Sequence, residues 1–215
     1  MHAGLKERHK DFSVTLPPEA SRRSTYFSAF TYAKNIDFLV QWSHNLVEKP
    51  VKDVTCPSPL HGDDHSPSLV SSEGILHSIE SSYSEDQANA VLSKLLLSFS
   101  FMGFRYQLAK RDPRHRNHPH SPLPRPVLIR TAQPAAYHET CKEGMKWNMS
   151  YNQDTGCVEL IGQDSLVSYP GRPRKELLAR VAGAALFDMD MDDFEGLCGK
   201  KNSMTRAFSR LLHVA

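Results

Sequence analysis

Gly183-Ala-Ala-Leu-Phe-Asp-Met-Asp-Met-Asp-Asp-Phe-Glu-Gly-Leu-Cys-Gly199 is the stretch from which the rest of the chain is read. Its first part, Ala184 to Met191, reads as a short buried strand. The acidic run inside it invites a metal reading. Asp188, Asp190 and Asp192 are spaced like the start of a calcium loop. Asp193 stands where such a loop needs glycine, however, and Gly199 where it needs glutamate, so that reading fails. Beyond it, Met204, Phe208, Leu211 and Leu212 make one apolar stripe, which predicts a helix over Ser203 to Leu212.

Working backwards, three more segments read as buried strands: Phe12 to Leu16, stopped by Pro17 and Pro18, then Ile36 to Trp42, and Leu95 to Phe101. Helical patterns lie between them. Ser24 to Lys34 is one. A second starts at Ser84, with Gln87 as capping-box partner, and runs toward Lys94. A third runs from Arg174 to Val181, with Leu177 and Val181 four residues apart. Alternating strands and helices predict an α/β fold with a parallel sheet and crossover helices.

Two stretches break the rhythm. Val51 to Ser72 is rich in Pro, Ser, His and Asp and reads as a long loop. Arg105 to Tyr169 is too long for an ordinary strand-to-helix connection. It holds patterns of its own: Val127 to Thr131, a turn near Pro134, Lys146 to Tyr151, and Cys157 to Ile161. These predict a small, mostly β subdomain, with Tyr137, Trp147, Tyr151, Val158 and Ile161 supplying its core.

Composition narrows the function. A chain of 215 residues with 40% hydrophobic content holds one domain or a large piece of one. A net charge of +2 points neither to nucleic acid nor to a membrane surface. No apolar run reaches the ~18 residues of a membrane span, and Met1 to Phe12 carries no apolar signal-peptide region. Cys56, Cys141, Cys157 and Cys198 form no CxxC pair, which speaks against zinc. An even, dispersed set fits disulfides, and sequence alone permits three pairings. His61, Asp63, Asp64 and His65 read as an exposed loop rather than a metal site. Lys110 to Arg130, basic with His115, His118 and His120, lacks the interleaved aromatics of a nucleic-acid platform and reads as a solvated loop. Asn148-Met149-Ser150 is a glycosylation sequon.

The opening stretch resembles the last barrel strand of family 18 glycoside hydrolases, the chitinases, where the pattern is Gly-Ala-Met-Val-Trp-x-Leu-Asp-x-Asp-Asp-Phe followed by Gly and Cys. Other pieces fall in the family's order. Lys94-Leu-Leu-Leu-Ser-Phe-Ser-Phe-Met-Gly103 resembles the seventh strand, Asn35-Ile-Asp-Phe-Leu-Val-Gln-Trp42 the sixth, and Phe12 to Pro18 the fifth. Ser58-Pro59-Leu60, Ala136-Tyr-His-Glu-Thr-Cys141 and Val167-Ser168-Tyr169 are similar to smaller family motifs. The resemblance implies a partial (β/α)₈ TIM barrel, strands five to eight, with an α+β insertion after strand seven. A whole barrel needs roughly 250 residues. The implied division is 1–104 for strands five to seven, 105–169 for the insertion, and 170–215 for the last helix, strand eight and the C-terminal helix. It also implies a Cys141–Cys198 disulfide, leaving Cys56 and Cys157 without an assigned partner.

Family 18 enzymes use the substrate's own N-acetyl oxygen as nucleophile, and the glutamate ending Asp-x-x-Asp-x-Asp-x-Glu on strand four as acid. That motif is absent here. Its nearest match, Asp188 to Glu195, has Met191 in place of an aspartate and is better explained as strand eight. Where the family's sixth strand ends in Met-x-Tyr-Asp, this chain has Trp42, Ser43, His44 and Asn45. Met102, Gly103 and Phe104 replace Tyr-Gly-Arg, and Phe187 replaces the tryptophan under the central sugar. Trp42, His44, Asn45, Met102 and Phe187 are thus the candidate sugar contacts. The resemblance implies an extracellular, truncated chitinase-like protein, catalytically inactive, that at most binds chitin or chito-oligosaccharides and needs no cofactor or metal. Two alternatives are a chitinase completed by an N-terminal half, and a basic binding module.

Overall fold

A computed structural model describes residues 11–17, 36–44, 54, 56–61, 71–109, 129–142, 148–153, 155–162, 165–171 and 175–213. The candidate helix Ser24 to Lys34, most of the basic stretch after Lys110, Asn45, and Trp147 lie outside them.

Four short strands form a parallel sheet: β1 (Ser13–Leu16), β2 (Phe38–Gln41), β3 (Leu95–Ser100) and β9 (Gly183–Phe187), in the order β1-β2-β3-β9. All four sequence-predicted strands are present. The last is shorter than expected. It stops at Phe187 because Asp188 turns into the left-handed region (φ 51°, ψ 41°), and Met189–Met191 follow as a 3₁₀ turn.

The period-two alternation of strands sorts the side chains onto two faces. Leu39, Leu95, Leu97, Phe99, Ala184 and Leu186 point one way. There they pack with α1 (Ser72–Ser82), α2 (Glu85–Leu92), α4 (Lys175–Leu178) and α5 (Ser203–His213) in one core with Ile75, Leu76, Ile79, Val91, Leu92, Leu177 and Phe208. Phe208 meets Phe99 and Phe101 at ring-centroid distances of 5.2 and 5.6 Å. The opposite face carries Ser98 and Ser100, both buried, and Phe38, which is 37% exposed.

Two helical details depart from the sequence reading. α1 begins where the loop was expected to end, capped by the Ser71 hydroxyl, which accepts from the Gly74 amide at 3.0 Å. α2 begins after Ser84 as expected, but the Ser84 side chain makes no capping bond, so the capping box is not formed.

A second, antiparallel sheet has the order β5-β4-β8-β7-β6, built from β4 (Gly103–Leu108), β5 (Ile129–Ala135), β6 (Asn148–Tyr151), β7 (Val158–Ile161) and β8 (Ser165–Tyr169). A short helix, α3 (Glu139–Lys142), joins β5 to the rest. Pro134 does not make the expected turn. It lies within β5, paired with Phe104. β5 has a described neighbour on one side only, the kind of edge position in which a strand tolerates proline. Tyr106, Leu108, Ile161 and Leu166 form one small core of this sheet, and Ala135, Val167 and Tyr169 another. Tyr137 sets its ring edge-on to Tyr169, whose hydroxyl donates to the Ala136 carbonyl at 2.9 Å.

Cys56 and Cys157, which the sequence left without partners, are disulfide-bonded to each other with a Cα separation of 5.9 Å. The bond ties the segment after β2 to the start of β7. The Leu60 amide donates to the Thr155 carbonyl beside it. Cys198 is also disulfide-bonded. Its sulfur lies 3.6 Å from the carbonyl oxygen of Tyr137, four residues before Cys141. The side chain of Cys141 lies outside the described residues.

Candidate functional site

The C-terminal ends of parallel strands are where an α/β sheet presents its exposed loops, and they are the usual place for a ligand. Here the ends of β2, β3 and β9 bring three rings together. The Trp42 indole stacks on the His44 imidazole with centroids 4.7 Å apart and planes 18° apart. Phe187 lies 4.7 Å from His44 and 6.1 Å from Trp42. Trp42 is 37% exposed, whereas His44 is buried. The arrangement is thus a shelf, with Trp42 outermost and His44 beneath it.

Hydrogen bonds fix the shelf. The Trp42 indole N–H donates to the His44 carbonyl at 2.6 Å. Ser43 donates its amide to the Ser98 hydroxyl at 2.8 Å and its own hydroxyl to the Ser98 carbonyl at 2.6 Å. His44 Nδ1 lies 2.7 Å from that same Ser98 hydroxyl. Burial pushes the pKa of His44 down to about 4, and the nearby Asp188 carboxylate only partly opposes this. The imidazole is therefore neutral at physiological pH.

Next to the rings lies a polar edge. Asp188, directly after Phe187, accepts a hydrogen bond from the Ser100 hydroxyl, which in turn accepts from the Met102 amide at 2.9 Å. Met102 is half-buried beside it.

The structure therefore brings Trp42, His44 and Phe187 together as ring contacts and places Met102 at the same edge. Asn45, the remaining sugar candidate, lies outside the described residues. So does the side chain of Asn148, whose backbone starts β6. Ser98, Ser100 and Asp188 were not among the candidates. Strand alternation in Leu95–Ser100 could have found the two serines, since it sets them opposite Leu95, Leu97 and Phe99.

The carboxylates after Asp188 serve the fold. Asp192 accepts from the Met204 and Thr205 amides and the Thr205 hydroxyl, holding the start of α5. Asp193 is buried, which by itself raises a carboxyl pKa. Hydrogen bonds from the amides of Cys198, Leu197 and Gly196, and nearby His138, outweigh this and hold the pKa below its usual value. Glu195 is exposed in the same turn. His61 pairs with Glu73 at 2.7 Å. Among the described residues no group of three or more His, Cys, Asp or Glu could hold a metal ion, and no helix is long and apolar enough to cross a membrane.

No family model matches the sequence, and no curated protein sequence matches it. Solved structures do match by shape. Catalytic domain 2 of the Group II chitinase of Ostrinia furnacalis, solved in complex with penta-N-acetylchitooctaose, superimposes with a TM-score of 0.72 at 14% identity, covering 100% of this chain and 58% of that one. The Group IV chitinase of the same insect, in complex with allosamidin, gives 0.71 at 14% identity, covering 99% and 60%. The chitinase-like agglutinin of Robinia pseudoacacia gives 0.64 at 15% identity, covering 97% and 58%. This chain thus spans about three-fifths of the length of these proteins. Over that span it has the chitinase fold.

Proposed function

We propose that this chain binds chitin-type oligosaccharides at the Trp42–His44–Phe187 shelf and does not hydrolyse them. The observation that carries this reading is the stacked, outward-facing Trp42 at the C-terminal end of the parallel sheet. An aromatic ring with an exposed face offers a flat apolar surface to a pyranose, and one locked by its own hydrogen bond loses little entropy on binding. Chitinases of the same fold have been solved with penta-N-acetylchitooctaose and with allosamidin. The agglutinin among them is named chitinase-like.

Hydrolysis needs a placed acid, and general acid catalysis contributes typically about 10²–10⁴-fold. The sequence holds no Asp-x-x-Asp-x-Asp-x-Glu. Glu195, the nearest stand-in, sits exposed in the turn that Asp193 anchors, past the end of β9. The four parallel strands are read as barrel strands five to eight. Within this proposal residues 1–104 and 170–215 are barrel, 105–169 is the insertion, Cys141 pairs with Cys198, and the protein is extracellular, where disulfides persist.

Binding is tested by titrating tetra-N-acetylchitotetraose into the chain and into a Trp42→Ala variant, with roughly 10-fold weaker binding expected in the variant. Turnover is tested on a fluorogenic chitobioside beside Glu195→Gln. Turnover that vanishes in that variant would replace this reading with one in which Glu195 is the acid.

A second reading is a chitinase completed by a further N-terminal segment. The exposure of the large apolar Phe38 on the parallel sheet favours it. Addition of such a segment would then restore turnover.

A further inference from the structure

We infer that Asp188 makes this site selective for amino sugars bearing a free ammonium group, so that partly deacetylated chito-oligosaccharides bind better than fully acetylated ones. The inference rests on the sugar-binding reading above and adds a ligand class to it.

Position comes first. Asp188 follows Phe187 directly, so its carboxylate lies at the rim of the ring shelf. The Ser100 hydroxyl is committed: it accepts from the Met102 amide and donates to one carboxylate oxygen of Asp188. The other oxygen makes no hydrogen bond to the described residues and remains available to a ligand. The left-handed backbone at Asp188 is one that only Gly, Asn and Asp adopt readily, so the residue type is restricted to those that fit the turn. Of these, aspartate alone brings a charge.

Charge is the second argument. Two ion pairs among the described residues, His61–Glu73 and Arg180–Glu80, do not involve Asp188. His44, which feels the Asp188 charge, has its pKa lowered by burial to about 4 and is neutral at physiological pH. Among the described residues, therefore, neither ion pair balances this carboxylate.

The rings act in the same sense. The faces of indole and benzene carry negative electrostatic potential and attract a cation within about 6 Å of the ring centre. A glucosamine ammonium on the shelf gains from the Trp42 and Phe187 faces and from Asp188. An acetamido group in the same place gains only contact area.

The test compares tetraglucosamine with tetra-N-acetylchitotetraose by titration calorimetry. The buffer is mildly acidic, so the glucosamine amines are protonated while His44, with its pKa near 4, is not. The wild-type chain should bind tetraglucosamine roughly 5- to 10-fold more tightly, and added salt should shrink the difference. Asp188→Asn keeps the shape and tolerates the left-handed backbone, so it should abolish the preference for tetraglucosamine. Equal affinities in the wild type, or a preference that survives Asp188→Asn, overturns the inference; Trp42-dependent binding of the acetylated tetramer would then leave the sugar-binding reading standing. Binding of neither ligand overturns both.

Discussion

Nδ1 of His44 lies 2.7 Å from the hydroxyl of Ser98, and through that bond the end of β3 holds the ring on which Trp42 rests. The Ser98 hydroxyl also receives the Ser43 amide, so one buried serine fixes both the backbone and the imidazole at the end of β2. The lower layer of the shelf is thereby hydrogen-bonded to the sheet.

The first expected consequence is a pH dependence. His44 has a pKa near 4 in the folded chain and an ordinary value of 6.5 when unfolded. Above the higher value both states are neutral and nothing is gained or lost. As pH falls, the unfolded chain takes up the proton first, so stability declines from 6.5 down to about 4 and levels off below. The loss attributable to this group is on the order of 3 kcal/mol. Urea denaturation at neutral and mildly acidic pH should show a smaller decline in His44→Gln than in the wild type. An NMR titration placing His44 near 6.5 would sink the argument.

A second concerns the disulfide. Cys56 and Cys157 are 101 residues apart in sequence, and a crosslink over so long a loop restricts the unfolded chain strongly. The double variant Cys56→Ser, Cys157→Ser should lose about 2–4 kcal/mol, measured by denaturation under non-reducing conditions. Non-reducing peptide mapping should recover the 56–157 linkage and, as proposed, the 141–198 linkage. A map joining Cys56 to Cys141 or Cys198 would contradict the structure.

Asp193 offers a third. Its carboxylate accepts three backbone amides of the turn after β9. Asp193→Ala leaves those donors without their acceptor and should cost about 2–4 kcal/mol. Its depressed pKa makes the stabilisation complete above the ordinary aspartate value and lost as pH falls through the folded one. A variant as stable as wild type, with no added acid resistance, would show that water replaces the carboxylate.

Gly171 is the fourth. A Cβ there would run into the carbonyl oxygen of Gly156, backbone next to Cys157. Backbone pinned by a disulfide cannot yield cheaply. Gly171→Ala should destabilise the protein by roughly 2–3 kcal/mol, seen as a lowered midpoint in chemical denaturation. Gly199→Ala is a poor control because Gly199 needs positive φ. Gly74→Ala, in a helix and touching only the Ser71 hydroxyl at 3.0 Å, should be much milder.

What was legible in the sequence was what burial writes into it. β3 and β9 are runs of apolar residues between turns, and α5 carries its stripe of Met204, Phe208 and Leu211. α1 was missed because Ser72–Ser82 holds few apolar residues among serines and a glycine, and its helical state depends on Ile75, Leu76 and Ile79 reaching the core. β4 was missed because it follows β3 after only Phe101 and Met102, with no turn residue to mark the break. Of the site, the rings were visible as residue types. The bonds of Ser98 and Ser100, and the turn at Asp188, were not, because they arise only when strands distant in sequence lie side by side.

The Cys56–Cys157 bond also has a meaning for synthesis. Cys141 leaves the ribosome before Cys157, so of the cysteines that follow Cys56 the first to emerge is not its native partner. Order of emergence alone would favour the wrong pair. The correct one requires that β7 be in place against the segment around Leu60 before oxidation becomes permanent, or that an early bond be exchanged later. The covalent pattern of the finished protein thus requires either that its antiparallel sheet form before its thiols close or that an early bond be reshuffled.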